Sequence, residues 1–280
     1  MPRRAPWWFG LARRLPAKRW STYAWLDRRG LLAGLVPVPF GPGFVHMPMH
    51  EHQCWQYADL AEADALSTDT LAALVRARFP RWTMIDCGAN AGLFTMNLAR
   101  KAPGLERVEA IEPNTLYDPV LRANLALLAG VHATVHQSAV AEHAGRGRLV
   151  APPGDSSPHS MFLAPDPTGP IVVTRLDDLG LPPGTNIVVK LDIEGAEHAA
   201  LAGAQSLLRA AAGFILFVEF HAGVLARTGQ DARAVFDLVE RIRPTRWLDA
   251  EDPTTQIDTA RPVLEQTRNK RICDVIGVAA

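Results

Sequence analysis

From about residue 82 onward, short β-like runs alternate with longer stretches whose apolar positions recur at helical spacing. TMIDCG is followed by LFTMNLARKA, RVEAIEP by LYDPVLRANLALLAG, and then comes the strand-like HATVHQSAV. Strands that alternate with helices predict a largely parallel sheet with helices on both faces. The pattern lapses over GRGRLVAPPGDSSPHSMFLAPDPTGPIVVTRLDDLG, which reads as two short strands around a Pro/Gly/Ser loop at residues 151–170. A loop of that length in a compact domain is expected to be a binding element or lid, and its Ser156, Ser157, His159 and Ser160 suit a polar substrate. The alternation resumes with NIVVKLDIEG, the alanine-rich helix AEHAALAGAQSLLRAAA, the strand FILFVEFH and the helix DARAVFDLVERIR; TRWLD and RICDVIGVA add two more strands. Nothing repeats at a fixed period, which excludes a solenoid.

Upstream the character changes. LVPVPFGPGFVHMP has the spacing of a small hairpin around Gly41-Pro42-Gly43, and residues 58–79 read as helical. Residues 1–80 are therefore expected to form an N-terminal cap on an α/β domain at 81–280. The first 30 residues hold Arg3, Arg4, Arg13, Arg14, Lys18, Arg19, Arg28 and Arg29 against Asp27 alone, interleaved with Trp7, Trp8, Trp20 and Trp25. Basic residues mixed with tryptophan suit an anionic membrane surface or a docking partner; the alternative is a solvated tail whose tryptophans cover the domain. The run GLLAGLVPVPF is too short and too broken by proline to span a bilayer, and no small-residue cleavage site follows, so an uncleaved chain is expected.

Composition narrows the classes. The 280 residues are 48% hydrophobic and 21% charged, as in a globular protein large enough for one sizeable α/β domain. Lys+Arg and Asp+Glu are both 29, so the chain as a whole lacks the electrostatic footprint of a nucleic-acid binder, and no nucleic-acid partner is expected. Cys54, Cys87 and Cys273 are odd in number and widely spaced, which suggests neither a disulfide framework nor a zinc site. The cytoplasm is the expected location, with membrane association through the basic N-terminus as a variant.

The first strand-to-helix turn carries the most specific chemistry. In open α/β sheets, ligands sit outside the carboxyl ends of strands where strand order reverses. Asp86 ends the first strand there, and Gly88 and Gly92 would let the backbone turn sharply and approach a ligand closely. A dinucleotide fingerprint, G-x-G-x-x-G, seats a pyrophosphate on a helix N-terminus. Here position 90, where the second glycine would fall, is Asn90. An acid beside such a turn suits a ligand with a positive centre, and S-adenosylmethionine carries a sulfonium and an α-amino group. Glu112 stands at the end of the second strand, where a carboxylate can accept both ribose hydroxyls. After the third strand, Gln137 and Ser138 are placed to bond an adenine edge. A helix N-cap for Asp86 and a plain tight turn for the glycines are the bland alternatives.

A second cluster lies in VVKLDIEGAEHAAL. Lys190 and Asp192 differ by two, so both point to one face near the strand's carboxyl end. Glu194 and Gly195 form the turn into the next helix, and Glu197 and His198 occupy its first turn, where the helix dipole favours an acid in any protein. A lysine and an aspartate in an otherwise apolar strand cost several kcal/mol to bury unless paired or used. FVEFH repeats the pattern with Glu219 and His221.

Taken together, IDCGANAGLFT, IEPNTLYDPVLRANL, QSAV, RLDDL and IVVKLDIEGAEHAALAGAQSLL followed by FVEFH resemble the FkbM family of S-adenosylmethionine-dependent methyltransferases over roughly residues 82–221. The KxDxEGxE element from Lys190 to Glu197 is the most family-specific piece. The resemblance implies a class I, Rossmann-like methyltransferase fold with a seven-stranded, mostly parallel sheet containing one antiparallel strand. It further implies methyl transfer to a hydroxyl oxygen of a small molecule or sugar, such as a glycan, glycolipid or polyketide.

Within that expectation His221 is the candidate base, since an unperturbed histidine titrates near neutrality, and Glu219 would orient it. Asp192 and Glu194 are alternatives as base or as acceptor-holding groups, and Lys190 would fix Asp192 or Glu219 as an ion pair. A metal-assisted version would place Mg²⁺ on Asp192, Glu194, His198 or His221. Two other classes compete: a nucleotide-cofactor oxidoreductase, opposed by the missing glycine, and a catalytically silent binding protein built on a methyltransferase fold.

Overall fold

The computed structural model describes residues 7–13, 19–151 and 161–279. Helices α1 (Trp7–Arg13) and α2 (Arg19–Asp27) precede the hairpin β1 (Leu35–Phe40) and β2 (Gly43–Pro48), then α3 (His52–Gln56) and α4 (Ala65–Arg78). The α/β core begins with β3 (Trp82–Cys87), α5 (Leu93–Lys101), β4 (Leu105–Ile111), α6 (Asp118–Leu125) and β5 (His132–His136). An inserted group of short strands follows: β6 (Ser138–Val140), β7 (Gly145–Val150), β8 (Phe162–Pro165) and β9 (Ile171–Thr174). The chain returns through β10 (Asn186–Leu191), α7 (Glu197–Ala202), α8 (Gln205–Ala210), β11 (Gly213–His221), α9 (Ala222–Thr228) and α10 (Ala232–Ile242). It finishes with β12 (Thr245–Asp249), α11 (Val263–Gln266) and β13 (Ile272–Ala279).

The main sheet has seven strands in the order β12-β13-β11-β10-β3-β4-β5. It is mixed: β13 runs antiparallel to both its neighbours, while β11, β10, β3, β4 and β5 pair in parallel. Strand order reverses between β3 and β10, which opens a crevice at their carboxyl ends.

Alternation along these strands feeds two cores. Ile85, Cys87, Val189, Leu191, Leu216 and Val218 face one side, under α7, α8 and α10. Met84, Val108, Ala110, Val188 and Ile215 face the other, with Leu71 and Val75 of α4, Leu98 of α5, and Leu121 and Leu125 of α6. Each large apolar side chain buried this way contributes about 1.5–3 kcal/mol. Helix α4, placed with the cap on sequence grounds, thus packs into the sheet's own core.

Four local expectations are corrected. HATVHQSAV divides at Gln137: β5 stays in the main sheet, whereas β6 enters a four-stranded sheet of order β6-β9-β7-β8. The segment taken for a loop at 151–170 contributes a strand, β8, paired antiparallel with β7 at Leu149 and Leu163. Its Ser156, Ser157, His159 and Ser160 lie outside the described residues. The alanine-rich helix breaks at Gly203, where a Cβ would sit 2.3 Å from the Ala141 carbonyl oxygen, so two short helices replace one long one. Finally, α9 fills a stretch for which no element was expected.

The cap is not a separate core. Phe9, Leu26, Val38, Val45, Trp55 and Leu60 cluster with Ala91 of the glycine turn, Met96 of α5, Tyr117 just before α6 and Val120 of α6. Asn124, fully buried on α6, joins these parts. Its Oδ1 accepts from the His46 backbone N–H at 2.7 Å, and its Nδ2 donates to the carbonyls of His46 at 2.9 Å and Ala91 at 2.7 Å. Asn124→Leu keeps the volume but leaves these backbone groups unpaired, and should lower stability by about 3 kcal/mol in urea unfolding.

Candidate active site

A cavity of about 400 Å³ opens at the carboxyl ends of β3, β4, β10 and β11. Gly88, Asn90, Glu112, Ser138, Asp192, Glu194, Glu219 and His221 line it, with Glu51, His52 and Gln53 of the cap and Leu149, Met161 and Leu163 of the inserted sheet. A smaller compartment of about 90 Å³ shares part of this wall, Asp64 included, and adds Phe94, Lys190, Phe217 and Asp274.

The glycine turn is shaped by close approach. Gly88 has φ +78° and an added Cβ would lie 2.0 Å from the Asp192 carbonyl oxygen, so any larger residue would push β3 and β10 apart. The N–H groups of Gly88 and Ala89 both donate to the Ile111 carbonyl, at 3.0 and 3.1 Å. Asn90 adopts φ +51°, a left-handed conformation that asparagine tolerates better than most residues. Gly92, at φ +80°, abuts Leu121 of α6 and lines neither compartment.

Glu112 is tied to this turn. Its Oε2 accepts from the Asn90 N–H at 2.9 Å and its Oε1 from the Asn114 N–H at 2.8 Å. Burial raises its pKa, and those two backbone donors oppose the rise. Both oxygens keep lone pairs for further donors at the cavity wall. Ser138 is also in the wall and shares a hydrogen bond with Thr174 at 3.2 Å. Gln137 is exposed and lines neither compartment, because the chain changes sheets at that residue.

Asp86 differs from its expected placement. It is fully buried beneath the turn and lines neither compartment. Its Oδ2 accepts from Thr95 Oγ1 at 2.6 Å, while Oδ1 has no hydrogen-bond partner and faces Lys190 Nζ at 3.7 Å. Asp86 therefore supports the turn from below, and the helix N-cap position falls to Gly92.

Lys190, opposite Asp86 in the β10–β3 register, donates from Nζ to the Gly88 carbonyl and to Asp192 Oδ2, each at 3.0 Å. The ammonium also lies 5.6 Å from the Phe94 ring centre. Burial works against its charge, but Asp192 and Asp86 hold its pKa above the ordinary lysine value. Burial would raise the Asp192 pKa, yet Lys190, together with a hydrogen bond from Glu219, holds it below the ordinary carboxylate range.

Glu219 and His221 meet across one residue of β11, with Oε1 and Nε2 2.6 Å apart. Burial and the charge of Asp192 push Glu219 up to about 8. The Glu219 hydrogen bond pushes His221 up to about 9 against the effect of its own burial. The pair therefore retains a proton at neutral pH and releases it on the alkaline side. His221 is not the free neutral imidazole that its ordinary pKa suggests.

One donor atom each from Asp192, Glu219 and His221 lies within 4.8 Å of the others, the separation a cation could bridge. Of the other ligands weighed, Glu194 lines the cavity at φ +53° but stands outside this trio, and His198 on α7 lines neither compartment. Glu197 is explained structurally: its Oε1 accepts from the N–H groups of Ile193 at 3.3 Å and Gly195 at 3.1 Å, bracing the turn.

Several wall residues escaped sequence reading. Asp274 stands opposite Glu219 in the β11–β13 register, with burial pushing it up to about 7. Its signal, a lone acid in the apolar run RICDVIGVA, is the same one that identified Asp192. Glu51, which accepts from the Tyr117 hydroxyl at 2.9 Å, and Asp64 come from the irregular cap, where no periodicity marks them.

This sheet, with its glycine turn, strand-end acid and polar cavity at the switch point, is a methyltransferase-like α/β fold. The chain belongs to the Methyltransferase FkbM domain family, which matches residues 86–242. A crystal structure of methyltransferase FkbM from Methylobacillus flagellatus KT is similar at 19% identity and TM-score 0.47, covering 75% of this chain and 47% of that one. The present chain thus spans about half the length of that protein. A precorrin-6y C5,15-methyltransferase from Geobacter metallireducens GS-15 shares 13% identity at TM-score 0.40, over 78% and 87% of the two chains. A SAM-dependent methyltransferase from Aquifex aeolicus shares 12% at TM-score 0.42, over 79% and 95%. No curated protein matches.

Lys190→Met removes the cation shared by two buried carboxylates. It should cost about 3–5 kcal/mol in urea unfolding at neutral pH, and the deficit should shrink on acidification, because Asp192, no longer held below the ordinary carboxylate range by Lys190, takes up a proton more readily.

Proposed function

We propose that the chain transfers a methyl group from S-adenosylmethionine to a hydroxyl of a small molecule or sugar, of the glycan, glycolipid or polyketide kind. The observation that carries this reading is the Glu219–His221 pair in a cavity wall that also holds the Asn90–Glu112 unit. The residues present fit the cofactor. Glu112, with both oxygens aimed by backbone donors, suits ribose hydroxyls; Ser138 suits an adenine edge; and the carboxylates beside the turn favour a positively charged ligand. When bound, S-adenosylmethionine supplies an electrophilic methyl group on a sulfonium.

The residues of the chain then align the acceptor and remove its proton. As the acceptor oxygen gains the methyl carbon, its proton would pass to His221 Nδ1, the ring nitrogen not engaged by Glu219, while Glu219, bonded to Nε2, stabilises the imidazolium that forms. Asp192, held by Lys190, and Glu194 offer carboxylate acceptors for neighbouring hydroxyls of a polyol. Asp86 acts indirectly, by keeping Thr95 and Lys190 in place beneath the turn.

A second reading has an observation of its own, the Asp192, Glu219 and His221 donor set. In the described arrangement Lys190 neutralises Asp192, and the Glu219–His221 hydrogen bond occupies the other two groups, which favours proton chemistry over a resident cation. Conversion of S-adenosylmethionine to S-adenosylhomocysteine across a panel of sugar and polyketide alcohols tests the central reading. Full turnover in EDTA, with no gain from added Mg²⁺, is the expected result; dependence on Mg²⁺ would install the metal. Calorimetry with NAD(H) should give no binding heat, whereas binding there would revive the oxidoreductase reading. Cofactor binding without turnover on any alcohol would favour a silent scaffold.

Because His221 must lose its proton to act, turnover should rise from neutrality through about pH 9. Glu219→Gln removes the main cause of the raised pKa, so the rising limb should move toward the ordinary histidine value of 6.5 while the plateau falls. A limb that stays in place would take the base role from His221. Separately, His221→Ala should lower turnover roughly 10²–10⁴-fold with little change in cofactor affinity. Glu112→Ala should do the reverse, weakening cofactor binding roughly tenfold or more by calorimetry.

A further inference from the structure

Among the described residues, the large apolar side chains left exposed are not scattered evenly. Leu11, Trp20, Trp25 and Leu31, at 60, 44, 47 and 50% exposure, all fall within one short N-terminal stretch. On α2 the exposed Trp20, Ser21 and Trp25 recur at helical spacing, while Leu26 turns inward to the cap core. The neighbouring charges are mostly basic: Arg28 and Arg29 are exposed and Arg19 is half-buried, with Asp27 the sole acid of residues 19–31. Arg29 lies over the Trp25 ring at 4.1 Å and also donates to the Trp25 carbonyl at 3.2 Å. It therefore presents its charge beside an exposed indole. Tryptophan at a surface with arginine around it suits the interface of a bilayer, where the ring enters the headgroup layer and the cation meets lipid phosphate. No helix among the described residues is long and apolar enough to cross a membrane, so this contact would be peripheral.

The surface is anchored to the rest of the protein. Tyr23 donates from its hydroxyl to the His50 carbonyl at 2.8 Å, and Arg19 donates to the Gln56 carbonyl at 3.1 Å. The rings of Trp20 and Tyr23 pack edge-on against His52, at 5.6 and 4.8 Å between centres, and His52 lines the large cavity. The same helix thus has one side toward solvent and the other against the cavity wall.

We infer that this face, built from Trp20, Trp25, Arg28, Arg29 and Leu31, docks the protein on an anionic lipid bilayer beside its candidate active site. The inference concerns lipid binding alone and stands whether or not the acceptor proves to be a hydroxyl compound.

Flotation of the full chain with vesicles of phosphatidylcholine, and of phosphatidylcholine mixed with phosphatidylglycerol, tests it. Binding is expected to the anionic vesicles, reduced by added salt, and to be weak on the neutral ones. Arg28→Glu with Arg29→Glu should lower partition at least roughly thirtyfold, since each basic residue near the surface contributes about a factor of five to ten. Trp25→Ala with Leu31→Ser should lower it as well, with an unchanged far-ultraviolet spectrum. Arg246→Glu, a single charge reversal at an exposed position on β12, should leave binding intact. Three results would each overturn the proposal: no binding to anionic vesicles, equal binding to both kinds, or equal loss in the Arg246→Glu control.

Discussion

The candidate site is organised around one buried cation. Lys190 reaches from β10 across to β3, where its ammonium bonds the Gly88 carbonyl and Asp192 and faces Asp86. An isolated ammonium in that position would be prohibitively expensive, and so would either carboxylate by itself. Because the three are compatible only together, the glycine turn, the end of β10 and the support beneath them share one register. The 2.0 Å limit at Gly88 expresses the same constraint sterically: the two strand ends are as close as backbone allows.

The balance of charge around that lysine explains the behaviour of the wall. Asp86 is buried, and Asp192, Glu219 and Asp274 are half-buried, with few cations to offset them. Asp192 sits closest to Lys190 and stays ionised, while Glu219 and Asp274 are pushed up first by burial, to about 8 and about 7. Protons are therefore stored beside the cavity at neutral pH. An imidazole hydrogen-bonded to such a carboxylate becomes a stronger base once it is neutral.

Much of this was legible in the order of residues. The alternation from β3 to β5 and from β10 to β13 predicts the main sheet, and period-two spacing correctly groups Lys190 with Asp192 and Glu219 with His221. What could not be read were properties set by contacts distant in sequence. Asp86 looks like a ligand-facing acid at the end of its strand, but Lys190 and Thr95 claim it from within. Gln137 looks equivalent to Ser138 until the chain switches sheets between them. The break at Gly203 depends on the Ala141 carbonyl, and the strand β8 on pairing with β7, neither of which leaves a local mark. The acids of the cap, Glu51 and Asp64, reach the cavity only because the hairpin and α3 dock against α5 and α6.

That docking has a kinetic side. The β1–β2 hairpin secures its backbone through Asn124, 78 residues further along the chain. At a synthesis rate of about 5–20 residues per second, the hairpin waits roughly 4–16 seconds on the ribosome before that side chain exists. A two-stranded ribbon is marginal in water during such an interval. The hairpin therefore lacks its backbone partner until α6 has been made, and its apolar face depends in the meantime on whatever shields nascent chains.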